Sequence, residues 1–316
     1  MSKNRLLKTT LFLSLTAATM HAVNRTIFSI TDKLSFLTKD NEYTYKWRFG
    51  DISYTKQGSG SPVLLIHDLT CGSFDLEWKY ILTELSKNYE VYTIDLPGCG
   101  KSDKLFMTYT NFIFVECIQD FIKDIIGKET DVIASGLSST IPLTSTLTKE
   151  HNIKKILLVN PPSIKLTNQI PDSRSKFLKK LIEFPIIGTL LFNICNCEGY
   201  YNNEFMKSSF LTPEFISIKF PKMYYIAAHK KGTSAKYLFA SLIGKYVNFP
   251  VERSLKTDIP VHCIFGEFEY NALITSSEYK KVNHAITYEF IDNCKHYPQI
   301  EQPENFLQAC EKFLSK

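Results

Sequence analysis

The sequence predicts an α/β fold, a mostly parallel central sheet flanked by helices, with a helical insert late in the chain. Three observations carry this reading. Short continuous apolar runs, such as residues 62–67 (Pro-Val-Leu-Leu-Ile-His) and 154–160 (Lys-Lys-Ile-Leu-Leu-Val-Asn), have the pattern of parallel strands buried on both faces. Between such runs apolar residues recur at helical spacing, as with Trp78, Ile81, Leu82 and Leu85, or Phe114, Ile118, Phe121 and Ile125. From about 163 to 251 the alternation stops and the chain reads as helical and aromatic, after which the strand pattern returns.

Length and composition narrow the function classes. At 316 residues, 44% hydrophobic and 22% charged, the chain has the make-up of a globular protein able to bury a substantial core. Its formal charge of +5 is spread over scattered lysines, which leaves no footprint for nucleic-acid binding. Eight cysteines are too few for a disulfide framework of this length, and no Cys-x-x-Cys occurs. Cys195-Asn196-Cys197 lacks nearby histidines and makes a poor zinc site. Reduced thiols in a reducing, cytoplasmic compartment are the plainer expectation.

Taken in order, the chain opens with Lys3, Arg5 and Lys8 and then runs apolar from Leu11 to Val23. The 15 residues between Lys8 and Asn24 fall short of the roughly 20 that cross a bilayer. A signal-type apolar region and an interfacial helix continuing through 26–37 both suit it. The preferred reading of residues 1–40 is an uncleaved anchor in contact with a membrane surface. Residues 41–162 and 252–316 form the α/β core, and 163–251 an inserted cap. Expected strands are 43–49, 52–57, 62–67, 91–96, 132–135, 154–160, 259–266 and 285–291. Expected helices are 77–87, 111–127, 173–182, 186–194, 212–227, 234–247 and 303–314.

The stretch from Thr130 to Leu143 (Thr-Asp-Val-Ile-Ala-Ser-Gly-Leu-Ser-Ser-Thr-Ile-Pro-Leu) reads as strand, sharp turn and helix. That construction lifts a nucleophilic serine clear of a sheet and aims free helix N–H groups at any anion formed there. Two registers fit Gly-x-Ser-x-Gly. One makes Ser138 the nucleophile, with Thr140 in the last position. The other puts Gly136 at the nucleophile position, which leaves no serine chemistry. Pro142 favours the first, because it then falls in the first helical turn, where a missing N–H is tolerated.

Four segments in order resemble the α/β-hydrolase superfamily, in its capped serine-hydrolase branch. They are Val63-Leu64-Leu65-Ile66-His67, Asp95-Leu96-Pro97-Gly98-Cys99-Gly100-Lys101-Ser102, the elbow at Ser138, and Cys294-Lys295-His296-Tyr297-Pro298-Gln299-Ile300-Glu301-Gln302-Pro303. The resemblance covers roughly 50–162 and 255–315. It implies that His296 is the general base and that Glu269, in Gly266-Glu267-Phe268-Glu269, is the acid orienting it, with Glu267 the nearest competitor. The alternative acid position of the family falls near Asn160, which cannot ionise. The resemblance further implies an oxyanion hole from the backbone N–H groups of Leu69 and Ser139, with His67 bracing the loop. Asp68 departs from the family, which has glycine there, and brings a carboxylate close to where negative charge would develop.

The function so implied is hydrolysis of a carboxylic ester or related acyl compound through a Ser138-His296-Glu269 triad and an acyl-enzyme. No metal or organic cofactor is required, and the aromatic insert favours an apolar small-molecule acyl substrate. A receptor that keeps the fold and pocket without efficient turnover is the alternative, motivated by Asp68, Thr140 and the rival register.

Overall fold

In the computed structural model, residues 3–34, 41–148, 150–213 and 219–315 are described. A long helix α1 (Lys3–Lys33) precedes strands β1 (Glu42–Trp47), β2 (Gly50–Gln57) and β3 (Ser61–Ile66). Helix α2 (Lys79–Leu85), β4 (Tyr89–Ile94), α3 (Asn111–Phe121), β5 (Thr130–Ser135), α4 (Thr140–Ser145) and β6 (Ile153–Val159) follow. Among the described residues the insert supplies helices and no strand: α5 (Ile164–Thr167), α6 (Ser173–Glu183), α7 (Ile187–Cys195), α8 (Glu198–Glu204), α9 (Lys219–His229) and α10 (Lys236–Ile243). The chain closes with β7 (Val261–Gly266), α11 (Ala272–Val282), β8 (Thr287–Ile291), α12 (Pro298–Glu301) and α13 (Pro303–Leu314).

All eight strands join one sheet in the order β1-β2-β4-β3-β5-β6-β7-β8. Strands β1, β2 and β4 pair antiparallel in succession, and every pairing from β4 through β3 to β8 is parallel. The predicted α/β architecture is therefore the observed one. The continuous apolar runs sit where both faces are covered. Leu64, Ile66, Val132, Ala134, Ile156 and Leu158 face the cluster containing Phe114, Ile118 and Ile141 of α3 and α4. Their strand neighbours Val63, Leu65, Ile133, Leu157 and Val159 face Ile81 and Leu85 of α2 and Phe306, Cys310 and Leu314 of α13. The side-chain alternation of a strand assigns each residue to one cluster or the other.

Differences from the predicted elements are local. The helix expected over 77–87 is split into a 3₁₀ turn, Asp75–Trp78, and α2. The one expected over 111–127 widens into a π turn at Ile122–Ile126 and stops at Gly127, whose φ of 68° only glycine adopts freely. Part of the expected 212–227 helix, residues 214–218, lies outside the described residues, and α9 begins at Lys219.

Helix α1 has two different halves. From Leu7 to Val23 no side chain is buried, and Leu7, Leu11, Phe12, Leu13 and Leu15 are largely exposed. From Asn24 onward the helix packs on α7 and α9. The Asn24 amide donates to the Ile186 carbonyl and accepts from Asn193, while Phe28 stacks on Phe192 and leans on His229. Among the described residues no helix is long and apolar enough to cross a membrane.

Phe28 is the anchor of that second half, and truncating a buried phenylalanine costs about 3–5 kcal/mol. Phe28→Ala is expected to lower stability in urea unfolding by about that amount. A loss below about 1 kcal/mol would show that α1 contributes little to the fold.

Candidate active site

The C-terminal ends of the parallel strands carry the candidate site, as expected for an open α/β sheet. Strand β3 ends at Ile66, and His67, Asp68 and Leu69 form the loop above it. The Leu96 N–H donates to His67 Nε2 at 3.0 Å, so Nε2 is the acceptor and Nδ1 carries the proton, which it gives to the Asp68 carbonyl at 2.6 Å. Burial pushes the His67 pKa down and keeps the ring neutral. His67 thus bonds through both ring nitrogens, to the Asp68 carbonyl and to the Leu96 N–H.

Strand β5 ends at Ser135 in extended conformation, and the next residue, Gly136, turns the chain with φ +53°. A 3₁₀ turn, Gly136–Ser139, leads into α4. The left-handed turn position that holds the nucleophile in a strand-to-helix elbow is therefore Gly136. This corrects the register preferred from the sequence. Ser138 lies two residues past the turn, fully buried, with its Oγ unbonded among the described residues and in the wall of neither cavity. The proline argument fails for a physical reason: the intervening 3₁₀ turn postpones the α-helix. Pro142 is only its third residue, where the absent N–H still costs nothing. Thr140 is buried as well, and its hydroxyl accepts from Asn111 and donates to the Leu137 carbonyl.

The space above Gly136 is filled from the facing loop. A Cβ built on Gly136 would stand 2.1 Å from Asp68 Oδ1. That oxygen accepts from the Leu69 N–H at 2.7 Å and the Leu137 N–H at 2.8 Å. Two backbone N–H groups converging on one oxygen is the arrangement that binds an oxyanion, and Leu69, named from the sequence, supplies one of them. Leu137 takes the place expected for Ser139, because the nucleophile position has moved to Gly136. Ser139 is buried, and its hydroxyl bonds to the Ala134 carbonyl.

His296 lies between two carboxylates. Its Nδ1 faces Glu269 Oε2 at 3.2 Å and its Nε2 faces Asp68 Oδ2 at 3.5 Å. Burial opposes the charged ring, but Asp68 and Glu269 outweigh it and hold the His296 pKa well above the ordinary histidine value. For Asp68 burial acts upward, and it is outweighed by His296 and by the Leu137 and Leu69 N–H groups, which hold the carboxyl below the ordinary aspartate value. Glu267 instead accepts from the Asn293 N–H. The structure brings together His296 and Glu269, the two residues named from the sequence, while among the described residues the Ser138 hydroxyl bonds to neither.

Three further residues position this constellation. Asn160, at the end of β6, donates through its amide to the Lys295 and His296 carbonyls at 3.0 and 2.8 Å and accepts from the Gly266 N–H. It ties the histidine loop to the strand that leads to Glu269. Glu77 accepts from the Asp68 N–H and from Gln299. Burial first, then the Asp68 charge, push its carboxyl up to about 8, so it is mostly neutral beneath Asp68 at pH 7. Sequence offered one signal for Asn160, its place in the family's alternative acid position, and none for Glu77 or Gln299.

Two cavities of about 460 and 590 Å³ share Asp68, Leu69, Thr70, Glu269, Tyr270 and His296 in their walls. The first is closed on the far side by Tyr201, Phe205 and Tyr224 of the insert, and the second reaches Gly136 and Leu137. Among the described residues no group of three His, Cys, Asp or Glu side chains is placed to hold a metal ion. Cys195 and Cys197 are free and exposed.

Residues 63–309 match the profile described as the alpha/beta hydrolase family. The 2-hydroxy-6-oxo-6-(2'-aminophenyl)hexa-2,4-dienoic acid hydrolase of Metapseudomonas resinovorans is 21% identical over 90% of this chain and 96% of its own. The proline iminopeptidase of Heyndrickxia coagulans is 25% identical over 84% of this chain and 96% of its own. Among solved structures, a bacterial membrane phospholipase A described as a virulence factor superposes with a TM-score of 0.67 at 20% identity, over 99% of this chain and 98% of that one. These relatives are hydrolases that share the fold, and the chain belongs to the alpha/beta hydrolase family.

Proposed function

We propose that this protein is a hydrolase of small, largely apolar molecules, working where the sheet meets the helical insert, with Glu269 and His296 as its acid–base pair and no role for Ser138. The observation that carries the reading is the placement of His296, held by Glu269 at Nδ1 and opening at Nε2 onto a carboxylate seated on two backbone N–H groups. The aromatic wall of Tyr201, Phe205 and Tyr224 favours an apolar substrate. The hydrolase activity of the relatives supports the class. Acyl transfer through Ser138 is not supported, because its hydroxyl is buried and has no hydrogen-bond partner among the described residues. Nor is an external carbonyl favoured, since its oxygen would compete with Asp68 for the same N–H pair.

A second reading has its own observation. Because Asp68 fills the hole and pairs with His296, a site that binds small molecules without turnover is also consistent with the geometry. A panel of p-nitrophenyl esters, amides and alkyl electrophiles separates the two. Turnover that is unchanged in Ser138→Ala and falls at least about a hundredfold in His296→Ala supports the hydrolase. No turnover of any of them, together with ligand-induced rises in Tm, supports the binding protein.

The raised His296 pKa has a definite sign. The folded state keeps a proton that the unfolded chain loses near pH 6.5, so this stabilisation is full below that pH and is lost as pH rises through the folded value. Asp68→Asn removes one of the two carboxylates, and His296 is then expected to titrate at lower pH in imidazole NMR. An unmoved titration would show that Asp68 does not hold the proton there.

The register is tested by rebuilding the elbow. Gly136→Ser alone puts its Cβ on the Asp68 carboxylate and should destabilise the fold, whereas Asp68→Gly with Gly136→Ser clears that space. The double variant is expected to gain fluorophosphonate labelling at residue 136, and labelling at Ser138 instead would restore the first register.

For α1 we propose contact with an anionic membrane surface. Leu7, Leu11, Phe12, Leu13 and Leu15 surround the helix, and the basic residues Lys3, Arg5 and Lys8 precede or interleave with them. The full chain is expected to float with phosphatidylglycerol vesicles, and Leu11→Asp with Leu15→Asp to stay behind. Equal flotation of both would remove this role.

A further inference from the structure

The docked half of α1 forms one wall of a groove of about 1130 Å³, whose other wall comes from the insert. Among the described residues, none in its wall lines either cavity of the candidate active site. We propose that this groove binds the headgroup of an anionic phospholipid, such as phosphatidylglycerol, drawn from the membrane surface that α1 contacts. The inference rests on that membrane contact and names a lipid for it, held as a ligand and not as a substrate.

Charge is the first observation. Arg25 and Lys33 of α1 stand exposed in the wall and make no ion pair or hydrogen bond among the described residues. About 12 Å of helix rise separates them, which two long side chains can close around one phosphate. Lys236 enters from the opposite wall and is buried. Its Nζ donates to the Glu183 and Phe184 carbonyls at 3.0 and 3.2 Å, and no carboxylate lies in ion-pair reach among the described residues. An ammonium has three N–H groups, so one is left for a ligand. The two acids of the wall do not cancel these charges. Glu183 is paired with Lys179, and Asp32 accepts from the Lys231 N–H. Three cations therefore face one carboxylate that no lysine side chain neutralises, and an anion is the ligand favoured.

The second observation is the division of the wall into polar and apolar parts. Thr189 is buried, yet its hydroxyl is unbonded among the described residues, and so are the hydroxyls of Thr233 and Ser234. A phosphodiester offers only acceptor oxygens, which suit these donors and the nearby cations. Beside them stands an apolar lip. Phe106 is 79% exposed, and its ring centroid lies 4.4 Å from that of Tyr237. The lip fits the glycerol and first chain carbons of a lipid, and a free inorganic phosphate would leave it uncovered.

Place is the third. His21, Arg25, Ser29 and Asp32 share one helical face, which runs from the free half of α1 onto the docked half. Arg25 follows Leu15 by about 15 Å of helix rise, so apolar turns seated in the membrane surface leave the groove close to the headgroups. The groove is also preformed. Asn24 bonds to the Ile186 carbonyl and to Asn193 at one end, and the Thr31 hydroxyl bonds to the His229 carbonyl at the other. Walls tied in this way leave little ordering for the ligand to impose.

The test uses the full-length protein and the di-O-hexyl ether of phosphatidylglycerol, which has no ester to cleave. It is kept monomeric below its micelle concentration and titrated by calorimetry. Wild type is expected to bind it at least about tenfold more tightly than the phosphatidylcholine counterpart or inorganic phosphate. Arg25→Glu with Lys33→Glu, both on the surface, should weaken binding at least about tenfold with Tm unchanged. Phe106→Ala should weaken it as well. Leu11→Asp with Leu15→Asp, which is expected to abolish flotation, should bind the monomeric lipid as wild type does. Equal binding of the two lipids, or binding unaltered by the charge reversals, overturns the assignment. Phosphate bound as tightly as the lipid overturns it too, in favour of a free anion. If wild type floats with vesicles but does not bind the monomer, the groove falls while the membrane contact stands. If it binds the monomer but does not float, the groove stands and the membrane contact falls.

Discussion

The site is arranged around one buried anion. Removing a carboxylate from water costs several kcal/mol even after relaxation, and that cost has to be met locally. Two backbone N–H groups reach Asp68 Oδ1 within 2.8 Å, and charge-assisted bonds of this kind contribute about 1.5–3 kcal/mol each. His296 adds a third partner at longer range. These terms are together of the size of the cost, which makes the anion tenable and makes its partners interdependent. Gly136 cannot carry a side chain, the His296 pKa is held well above its ordinary value, and burial first, then the Asp68 charge, push the Glu77 carboxyl up to about 8.

The sheet converts sequence separation into this proximity. Asp68 follows β3, Gly136 follows β5, Asn160 follows β6, Glu269 follows β7 and His296 follows β8, and these strands are parallel neighbours. Parallel strands place successive loops on one edge, so five distant positions meet without any long-range side-chain code. Fine adjustment is left to bonds such as those from Asn160 to the histidine loop, which fix His296 relative to Glu269. Gly266 belongs to the same adjustment, since a Cβ there would stand 1.9 Å from the Lys295 carbonyl oxygen.

Much of this was legible in the sequence because it is written in local periodicity. Fully buried strands must be apolar throughout, and the runs 62–67 and 154–160 could hardly be anything else. His296 and Glu269 were reached through the resemblance of the segments that hold them to those of the family. The elbow was not, because Gly-Leu-Ser-Ser-Thr offers small residues at several offsets. The choice between them depends on whether the helix begins at once or after a 3₁₀ turn, and propensity does not resolve a difference of half a turn. Asp68 was visible as a departure beside the oxyanion loop. What could not be read was that it and Gly136 form a matched pair, since that depends on a through-space distance between residues 68 apart in sequence.

The two residues act as one unit in setting the resting state of the site. In a serine elbow the nucleophile is neutral, the hole is empty, and the histidine must be unprotonated to start. Here the turn carries no side chain, the Asp68 carboxylate occupies the two N–H groups, and the pKa of the histidine is held well above its ordinary value. Every one of those differences has the same origin, a carboxylate entering from the opposite loop. Together they leave the Leu69 and Leu137 N–H groups already occupied, with no room there for the oxygen of an external carbonyl. One pairing, glycine on the turn and aspartate on the facing loop, thus sets the resting state of the site while leaving the fold untouched.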